Sequence, residues 1–195
     1  MQKNELYKKY MNNPFLIGEN IYLRIITITD LTPRYRDWFN DAEVCKGNSH
    51  HRFPNYDEDM HTYYECTIKS HENIILAICD KETDLHIGNV SLQNIDPINR
   101  SAEFAIVIGD KDFWGKGVGT EAMKLIVSHG FCELNLNRIE LGTFDDNIGM
   151  QKLAIKNGFK EEGRSRQAVW KEGRWKDILH FGLLRDEWKE GVCIN

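Results

Sequence analysis

The sequence predicts an α/β (α+β) fold: a mixed, mostly antiparallel central sheet of about seven strands, flanked by about four helices. Short runs of alternating apolar and polar residues, as at 21–25, are typical of half-buried strands. Apolar residues spaced three and four apart indicate helices with one buried face, as at Tyr35, Trp38 and Phe39. A strand over 101–109 precedes a glycine-rich loop and a helix, which predicts a right-handed crossover to a parallel strand.

Particular residues mark where the helices begin. Thr32 before Pro33 predicts one helix start. Asn55, with Glu58 three residues later, resembles the capping box of a second helix. Asn147 can cap a short helix near the end of the chain. The predicted strands cover residues 21–25, 74–79, 86–95, 101–109, 138–144, 159–170 and 175–184.

Length and composition predict a single domain. The chain has 195 residues, of which 41% are hydrophobic and 28% charged, as in ordinary globular proteins. We divide it into an N-terminal arm at 1–16, a core at 17–188 and a tail at 189–195. The core is long enough to bury a sizeable interior.

Composition also excludes several classes of function. The formal net charge of −5 argues against a nucleic-acid partner and would not repel a cationic amine. No apolar run approaches the ~20 residues of a membrane span, and the polar start lacks the apolar stretch of a signal peptide. Five widely spread cysteines argue against a disulfide framework and fit a reducing cytoplasm. We therefore expect a cytoplasmic protein. No cysteine or histidine spacing suits zinc, so we expect no metal.

The glycine-rich loop at 114–120 ends one strand and opens the next helix. Gly115, Gly117 and Gly119 let the backbone turn tightly and approach a ligand closely. The helix start supplies unpaired N–H groups and the positive end of the helix dipole. Together these features predict a site for phosphate or pyrophosphate. The spacing matches neither the Rossmann fingerprint nor the P-loop.

The order of the elements and the sequence of this loop resemble the GNAT superfamily of acetyl-CoA-dependent N-acetyltransferases. The resemblance covers about residues 17–188. Here Trp114-Gly115-Lys116-Gly117-Val118-Gly119 takes the place of the family's Gln/Arg-x-x-Gly-x-Gly/Ala. The tryptophan, together with Asn137-Arg138-Ile139 and Asn157-Gly158-Phe159, is similar to the branch of ribosomal-protein alanine acetyltransferases.

The resemblance implies a binding track for acetyl-CoA. The fourth and fifth predicted strands would splay apart next to a bulge, and backbone groups of Ile106, Val107 and Ile108 would pair with the pantetheine arm. The N–H of Val107 would point at the thioester carbonyl as the oxyanion donor. Asn147 would contact the pantetheine amide, or act only as a helix cap. The pyrophosphate would be bound by the loop residues Trp114, Gly115, Lys116, Gly117, Val118, Gly119 and Thr120.

The resemblance also implies a general base at Glu103. Histone-acetylating members of the family carry a glutamate at this spacing, usually acting through water; the alternative is a structural glutamate. The usual positions of the general acid are occupied here by Met150 and Ala154, which cannot donate a proton. The acid therefore stays open between Tyr63, Tyr64, His180 and water.

We predict direct transfer of an acetyl group from acetyl-CoA to a primary amine in a ternary complex. The nearest branch implies a protein N-terminus as acceptor, and an amino-sugar nucleotide or another small amine is the alternative. A catalytically silent acyl-CoA-binding module is the alternative from another class. The polar loop at 41–54 is expected to contact the acceptor through His50, His51 and Arg52.

Basic residues cluster in the predicted last hairpin: Arg164, Arg166, Lys171, Arg174 and Lys176. Such a run is most often a solvated face, and it is also compatible with an acidic substrate such as a nucleotide-sugar diphosphate. A homodimer through this hairpin or the sheet edge is compatible with the sequence, which offers no symmetric patch to locate the interface.

Overall fold

The computed structural model describes residues 13–70 and 72–188. Most of the predicted arm, at 1–12, and the predicted tail, at 189–195, lie outside the described residues. The strands are β1 (Leu16–Ile17), β2 (Ile21–Ile25), β3 (Ile74–Asp80), β4 (His86–Asp96), β5 (Ser101–Ile108), β6 (Arg138–Phe144), β7 (Lys160–Lys171) and β8 (Arg174–Leu184). The α-helices are α1 (Pro33–Asn40), α2 (Asp57–Tyr63), α3 (Val118–Cys132) and α4 (Ile148–Lys156). Among the described residues, no helix is long and apolar enough to cross a membrane.

These strands form one sheet in the order β1-β2-β3-β4-β5-β6-β8-β7. β5 and β6 are parallel, and all other neighbouring strands are antiparallel. The predicted mixed, mostly antiparallel sheet is therefore confirmed, with α3 as the crossover between β5 and β6. The described sheet has eight strands rather than about seven, because the two-residue β1 pairs with β2 ahead of the first predicted strand.

β5 separates two layers of the core. Phe104, Ile106 and Ile108 pack in the main core with residues of α3 and α4. Val107 packs on the opposite face, against a smaller core built from α1 and α2. This arrangement confirms the predicted alternation along the strand, because successive side chains of a strand point to opposite faces.

β5 and β6 splay apart after a short pairing. Residues Ser101, Ala102 and Glu103 of β5 pair with 138–140 of β6, and the pairing ends there. From 104 to 108, β5 continues against β4 alone, so its other edge has no strand partner among the described residues. The splay implied by the family resemblance is present between the expected strands.

α2 begins one residue later than the predicted cap implies, at Asp57. The Asp59 carboxylate accepts a hydrogen bond from the Tyr56 N–H at 2.9 Å, which makes Tyr56 the cap. Asn55, the predicted cap, donates instead to the Phe39 carbonyl at 3.2 Å and so ties the end of α1 to the start of α2. Asn55 and Asp59 both line a cavity that residues 105–107 of β5 also line.

β7 and β8 form the predicted hairpin, joined by Glu172 and Gly173. Both residues have positive φ, 53° and 74°. This is the two-residue turn that matches the right-handed twist of antiparallel strands.

The cysteines differ from the sequence expectation at one position. Cys45, Cys66 and Cys79 carry free thiols, whereas Cys132 is disulfide-bonded. The spacing of the cysteines contained no signal for that bond.

Candidate active site

A groove of about 780 Å³, here called the main groove, runs along the open edge of β5. Its other walls are the glycine-rich loop with the start of α3, the first turns of α4 and the loop after α1. Lys116 is the predicted cofactor residue that does not line it, since its ammonium lies over the Phe113 ring, 5.3 Å from the centroid. The predicted cofactor residues that line it are Ile106, Val107, Ile108, Trp114, Gly115, Gly117, Val118, Gly119, Thr120 and Asn147.

The glycine-rich loop passes through left-handed backbone at two positions. Gly115 has φ 73° and Gly117 has φ 84°, a conformation that costs glycine nothing and other residues about 1–2 kcal/mol. A Cβ at either position would meet open space, so the backbone conformation alone requires glycine there. Gly117 caps α3, and the N–H groups of the first helical turn have no partner inside the helix. Such groups suit an anion, and here they lie at the wall of the main groove.

Lysines give the main groove a positive character. Lys46, Lys152 and Lys156 line it, opposed by Glu43 and Asp146. A helix N-terminus combined with lysine ammonium groups suits phosphate oxygens. The groove therefore fits a ligand that carries several phosphates at one end.

The open edge of β5 presents alternate backbone groups. The Gly109 N–H donates to the Ile87 carbonyl of β4 at 3.0 Å. In an antiparallel pair, every second residue points its N–H and C=O to the same side, so the backbone of Val107 faces Asn89 of β4. The open edge therefore carries the backbone groups of Ile106 and Ile108, and the N–H of Val107 points away from the direction that the resemblance implies.

Trp114 closes one end of this edge. Its Nε1 donates to the Ile108 carbonyl at 2.8 Å, while the residue is 41% exposed and lines the main groove. The indole therefore takes one of the open backbone acceptors. The N–H and C=O of Ile106 and the N–H of Ile108 are left facing the groove.

Replacing Trp114 with phenylalanine is expected to weaken acetyl-CoA binding by about fivefold, since a hydrogen bond of this kind contributes about 1 kcal/mol. The ring volume is largely kept, so the loss reports the bond that fixes the loop to β5. Isothermal titration calorimetry with acetyl-CoA measures the dissociation constant. Trp175→Phe, on the far hairpin, is the matched control and should stay within about twofold of wild type. An unchanged affinity in Trp114→Phe would show that the bond is dispensable.

Asn147 serves as a helix cap and a loop anchor. Its Oδ1 accepts from the Met150 N–H at 3.1 Å, as a cap does, and its Nδ2 donates to the Gly47 carbonyl at 3.1 Å. A Cβ at Gly47 would lie 2.3 Å from that Nδ2, so only glycine allows this approach. The cap reading is confirmed, and contact with a cofactor amide stays a prediction.

A second cavity of about 220 Å³, here called the side pocket, lies on the other face of β5. Ile106 and Val107 line both cavities, so the two meet at the middle of the splayed strand. The side pocket contains one carboxylate and no lysine or arginine. Its lining residues are Phe39, His50, Asn55, Asp59, Met60, Tyr63, Ile75, Asn89, Ser91, Gln93, Ala105, Ile106 and Val107.

Of the three residues predicted to contact the acceptor, His50 lines the side pocket. Its ring lies edge-on to Phe39, with the centroids 4.8 Å apart. Although His50 is exposed overall, desolvation of the imidazole and the nearby Lys171 cation lower its pKa, which keeps the imidazole neutral near pH 7. His51 is exposed, and Arg52 is exposed and donates to the Trp170 carbonyl at 3.2 Å.

Glu103 lines neither cavity. Its side chain is exposed and accepts a hydrogen bond from Asn94 Nδ2 at 3.2 Å. It lies opposite Gln93, which does line the side pocket. Glu103 thus lies on the same face of β5 as the side pocket, two residues before Ala105, which lines the pocket.

The three side chains left open as general acid lie in different surroundings. Tyr63 lines the side pocket, and burial raises the pKa of its hydroxyl, so it stays protonated. Tyr64 packs against the same small cluster as Tyr63, but it lines neither cavity, and the Lys69 ammonium lies 5.6 Å from the centroid of its ring. His180 is exposed on β8 and bonded to Ser165 Oγ at 2.8 Å. Among these candidates, Tyr63 is the one that reaches a cavity.

Ion pairs and backbone contacts engage the basic run of the last hairpin. Arg164 pairs with Asp177 at 3.2 Å, and Lys176 pairs with Asp146 at 2.9 Å. Lys171 is buried and donates to backbone carbonyls. Arg174 also pairs with Asp146, and Arg166 is exposed. Within the described residues no group of three or more metal-binding side chains occurs.

Sequence analysis missed most of the side pocket. Ser91 and Gln93 alternate with the buried Val90 and Leu92 along β4, and this polar face beside β5 was the available signal. Asp59 gave no comparable signal, because a carboxylate in the first turn of a helix is ordinary.

Comparison with known proteins agrees with the geometry. Residues 20–160 match the acetyltransferase (GNAT) domain family. The chain is 32% identical over 178 residues to "Probable N-acetyltransferase YjcK" of Bacillus subtilis (strain 168), covering 88% of this chain and 98% of the relative. It is 29% identical over 117 residues to spermidine N(1)-acetyltransferase of Escherichia coli (strain K12), covering 60% of this chain and 61% of the relative.

A solved structure shares the fold. Spermidine N-acetyltransferase from Vibrio cholerae, in complex with CoA and spermine, superposes with a TM-score of 0.79 at 24% identity, covering 86% of this chain and 97% of that one. The donors of the main groove suit such a cofactor: unpaired N–H groups and lysines for phosphates, and an open strand edge for amides. The chain belongs to the GNAT acetyltransferase family and is an acetyl-CoA-dependent N-acetyltransferase.

Proposed function

We propose that the acceptor is a small cationic primary amine without phosphate groups, bound in the side pocket. The observation that carries the proposal is the lining of that pocket, where Asp59 is the one charged side chain. A lone carboxylate favours an ammonium group and disfavours a phosphate. The volume of about 220 Å³ lies below the roughly 300–1,000 Å³ typical of drug-sized ligands.

The proposed roles follow from the junction of the two cavities. When bound in the main groove, acetyl-CoA supplies the acetyl group as an activated thioester. An alkyl-ammonium with a pKa of about 10 must lose a proton before it can attack, and the neutral imidazole of His50 takes that proton. The Ile106 N–H, rather than that of Val107, stabilises negative charge at the carbonyl oxygen. Tyr63 is the protonated hydroxyl that can return a proton to the leaving thiolate.

We assign phosphate binding to the glycine-rich loop and α3, with Gly115, Gly117 and the first-turn N–H groups as its parts. Lys152 and Lys156 add positive charge to the same end. Glu103, outside both cavities, is proposed to raise the local concentration of a cationic amine at the mouth of the side pocket, rather than to act as base.

A polypeptide N-terminus is a second candidate acceptor. Phe53 and Tyr56 are 82% and 61% exposed and lie in the segment that also carries His50 and Asn55. Exposed aromatic side chains beside a pocket suit an acceptor that continues outside it. An amino-sugar nucleotide is disfavoured, because the side pocket contains a carboxylate and no lysine or arginine to pair with its phosphates.

A panel of three amines tests the acceptor class. Thiol release from acetyl-CoA is followed with spermidine, an alanyl tripeptide amide and a uridine-diphosphate amino sugar, and mass spectrometry identifies the product. We expect spermidine to give the highest kcat/KM and the nucleotide sugar the lowest. Preference for the nucleotide sugar would overturn the proposal. Tight acetyl-CoA binding without acetylation of any amine would favour a silent binding module.

A further inference from the structure

One short loop forms part of the wall of both cavities. Val44, Gly47 and Asn48 line the main groove, and His50 lines the side pocket. Residues 44–50 are here called the bridging loop. Its conformation affects both the cofactor side and the acceptor side of the junction at β5.

Two side chains hold the bridging loop from opposite ends. Asn147, at the start of α4, donates from Nδ2 to the Gly47 carbonyl at 3.1 Å. Lys171, the last residue of β7, donates from Nζ to the Cys45 carbonyl at 3.1 Å and also to the His50 carbonyl. The first contact lies in the main groove, and the second lies next to the residue that enters the side pocket.

Burying the ammonium group of Lys171 costs free energy. The residue is 8% exposed, and among the described residues no carboxylate lies within ion-pair distance of its ammonium. Desolvation lowers the pKa of this ammonium, as expected for a buried lysine. Neighbouring Lys176, also buried, pairs with the carboxylates of Asp146 and Glu172 instead.

The hairpin itself does not need a lysine at this position. Its turn is formed by Glu172 and Gly173, whose positive φ values set the geometry. The acceptors of the Lys171 ammonium are carbonyls of the bridging loop, more than one hundred residues away in the chain. The buried ammonium therefore holds the backbone of the bridging loop in place.

We infer that Lys171 is a positioning residue for the acceptor: it fixes the backbone of His50, so that the imidazole lines the side pocket at its junction with the main groove. The inference rests on the proposed function of the side pocket. Lys171 acts through the loop and touches neither substrate. Asn147 sets the other end of the same loop on the cofactor side.

Two variants test the inference in the full chain. Lys171→Met keeps the length of the side chain and removes its donors; Lys171→Arg keeps a donor. With spermidine as the probe amine, Lys171→Met should raise KM about tenfold or more, since hydrogen bonds from charged groups are strong. The acetyl-CoA dissociation constant should stay within about twofold. In Lys171→Arg, KM should return part of the way to the wild-type value.

A second readout is independent of the acceptor. The imidazole signals of His50, assigned in NMR spectra with a His50→Gln variant, are compared at about pH 8.5, where the imidazole is neutral in every variant. They should move in Lys171→Met and return towards wild type in Lys171→Arg. Lys160→Met, the same change at the exposed start of β7, should leave KM within about twofold and the His50 signals in place. Circular dichroism confirms that each variant is folded.

The outcomes separate the inference from the proposed function. Unmoved His50 signals in a folded Lys171→Met protein would overturn the positioning role, whatever the kinetics. Moved His50 signals with an unchanged KM for spermidine would support the role of Lys171 in the loop and would overturn the side pocket as the acceptor site. An equal rise in the acetyl-CoA dissociation constant would contradict an effect confined to the acceptor side.

Discussion

Replacing His50 with glutamine is expected to lower kcat/KM for the amine by about 10²–10⁴-fold, the range in which a general base contributes. Glutamine keeps a polar side chain of similar reach but cannot accept the proton. His50 does not line the main groove, the proposed site of acetyl-CoA, so the acetyl-CoA dissociation constant should stay within about twofold. Steady-state kinetics with saturating acetyl-CoA, combined with calorimetry, measures both quantities.

The proposed role of His50 also predicts how activity changes with pH. Desolvation, with a smaller effect of the Lys171 cation, places the pKa of His50 below its ordinary value of about 6.5. The proposed base is the neutral imidazole of His50. Activity of the wild type should therefore be retained as the pH is lowered to about 6.5 and be lost only below that pH. In His50→Gln this acid limb should disappear, because no imidazole titrates there.

Glu103→Gln is the comparison variant for this experiment. Glu103 lines neither cavity, so we expect it to raise the KM of a cationic amine modestly and to keep the acid limb of wild type. Loss of the acid limb in Glu103→Gln, with the limb intact in His50→Gln, would assign the base to Glu103 instead.

Replacing Gly117 with alanine is expected to weaken acetyl-CoA binding by about 5–30-fold. The φ of 84° at Gly117 costs a residue with a Cβ about 1–2 kcal/mol. The variant relieves this strain by moving the loop, and the N–H groups at the start of α3 then lose their alignment on the phosphate site. Calorimetric titration with acetyl-CoA measures the effect.

Gly163→Ala is the matched control for that variant. Gly163 lies on β7, outside both cavities, and its added Cβ would meet open space. Its acetyl-CoA affinity should therefore equal that of wild type. Equal affinities in Gly117→Ala and Gly163→Ala would show that the left-handed turn is not needed to hold the cofactor.

The sequence predicted the glycine-rich loop and the helix start that line the main groove, because both depend on local features. Gly115 and Gly117 mark a backbone conformation that few other residues adopt, and the following helix start is fixed by the chain itself. The face alternation of β5 is equally local, since it has a period of two. These features need no knowledge of the neighbouring strands.

The acceptor half depends on long-range register, which one sequence does not reveal. The family resemblance assigned the open N–H to Val107, whereas the pairing with β4 places Asn89 opposite that residue. The side pocket is assembled from α1, α2, β4 and β5, whose polar lining residues look like ordinary surface positions in isolation. The burial of Lys171 likewise depends on a loop more than one hundred residues earlier.

Filling the side pocket tests the central claim most directly. Ala105 lines the side pocket and not the main groove, so Ala105→Leu adds volume on the acceptor side alone. The measurement is kcat/KM for spermidine alongside the acetyl-CoA dissociation constant. We predict a fall in kcat/KM of about 100-fold, equivalent to about 2.7 kcal/mol, with the dissociation constant within about twofold. An unchanged kcat/KM in a folded variant would contradict the assignment of the side pocket to the amine.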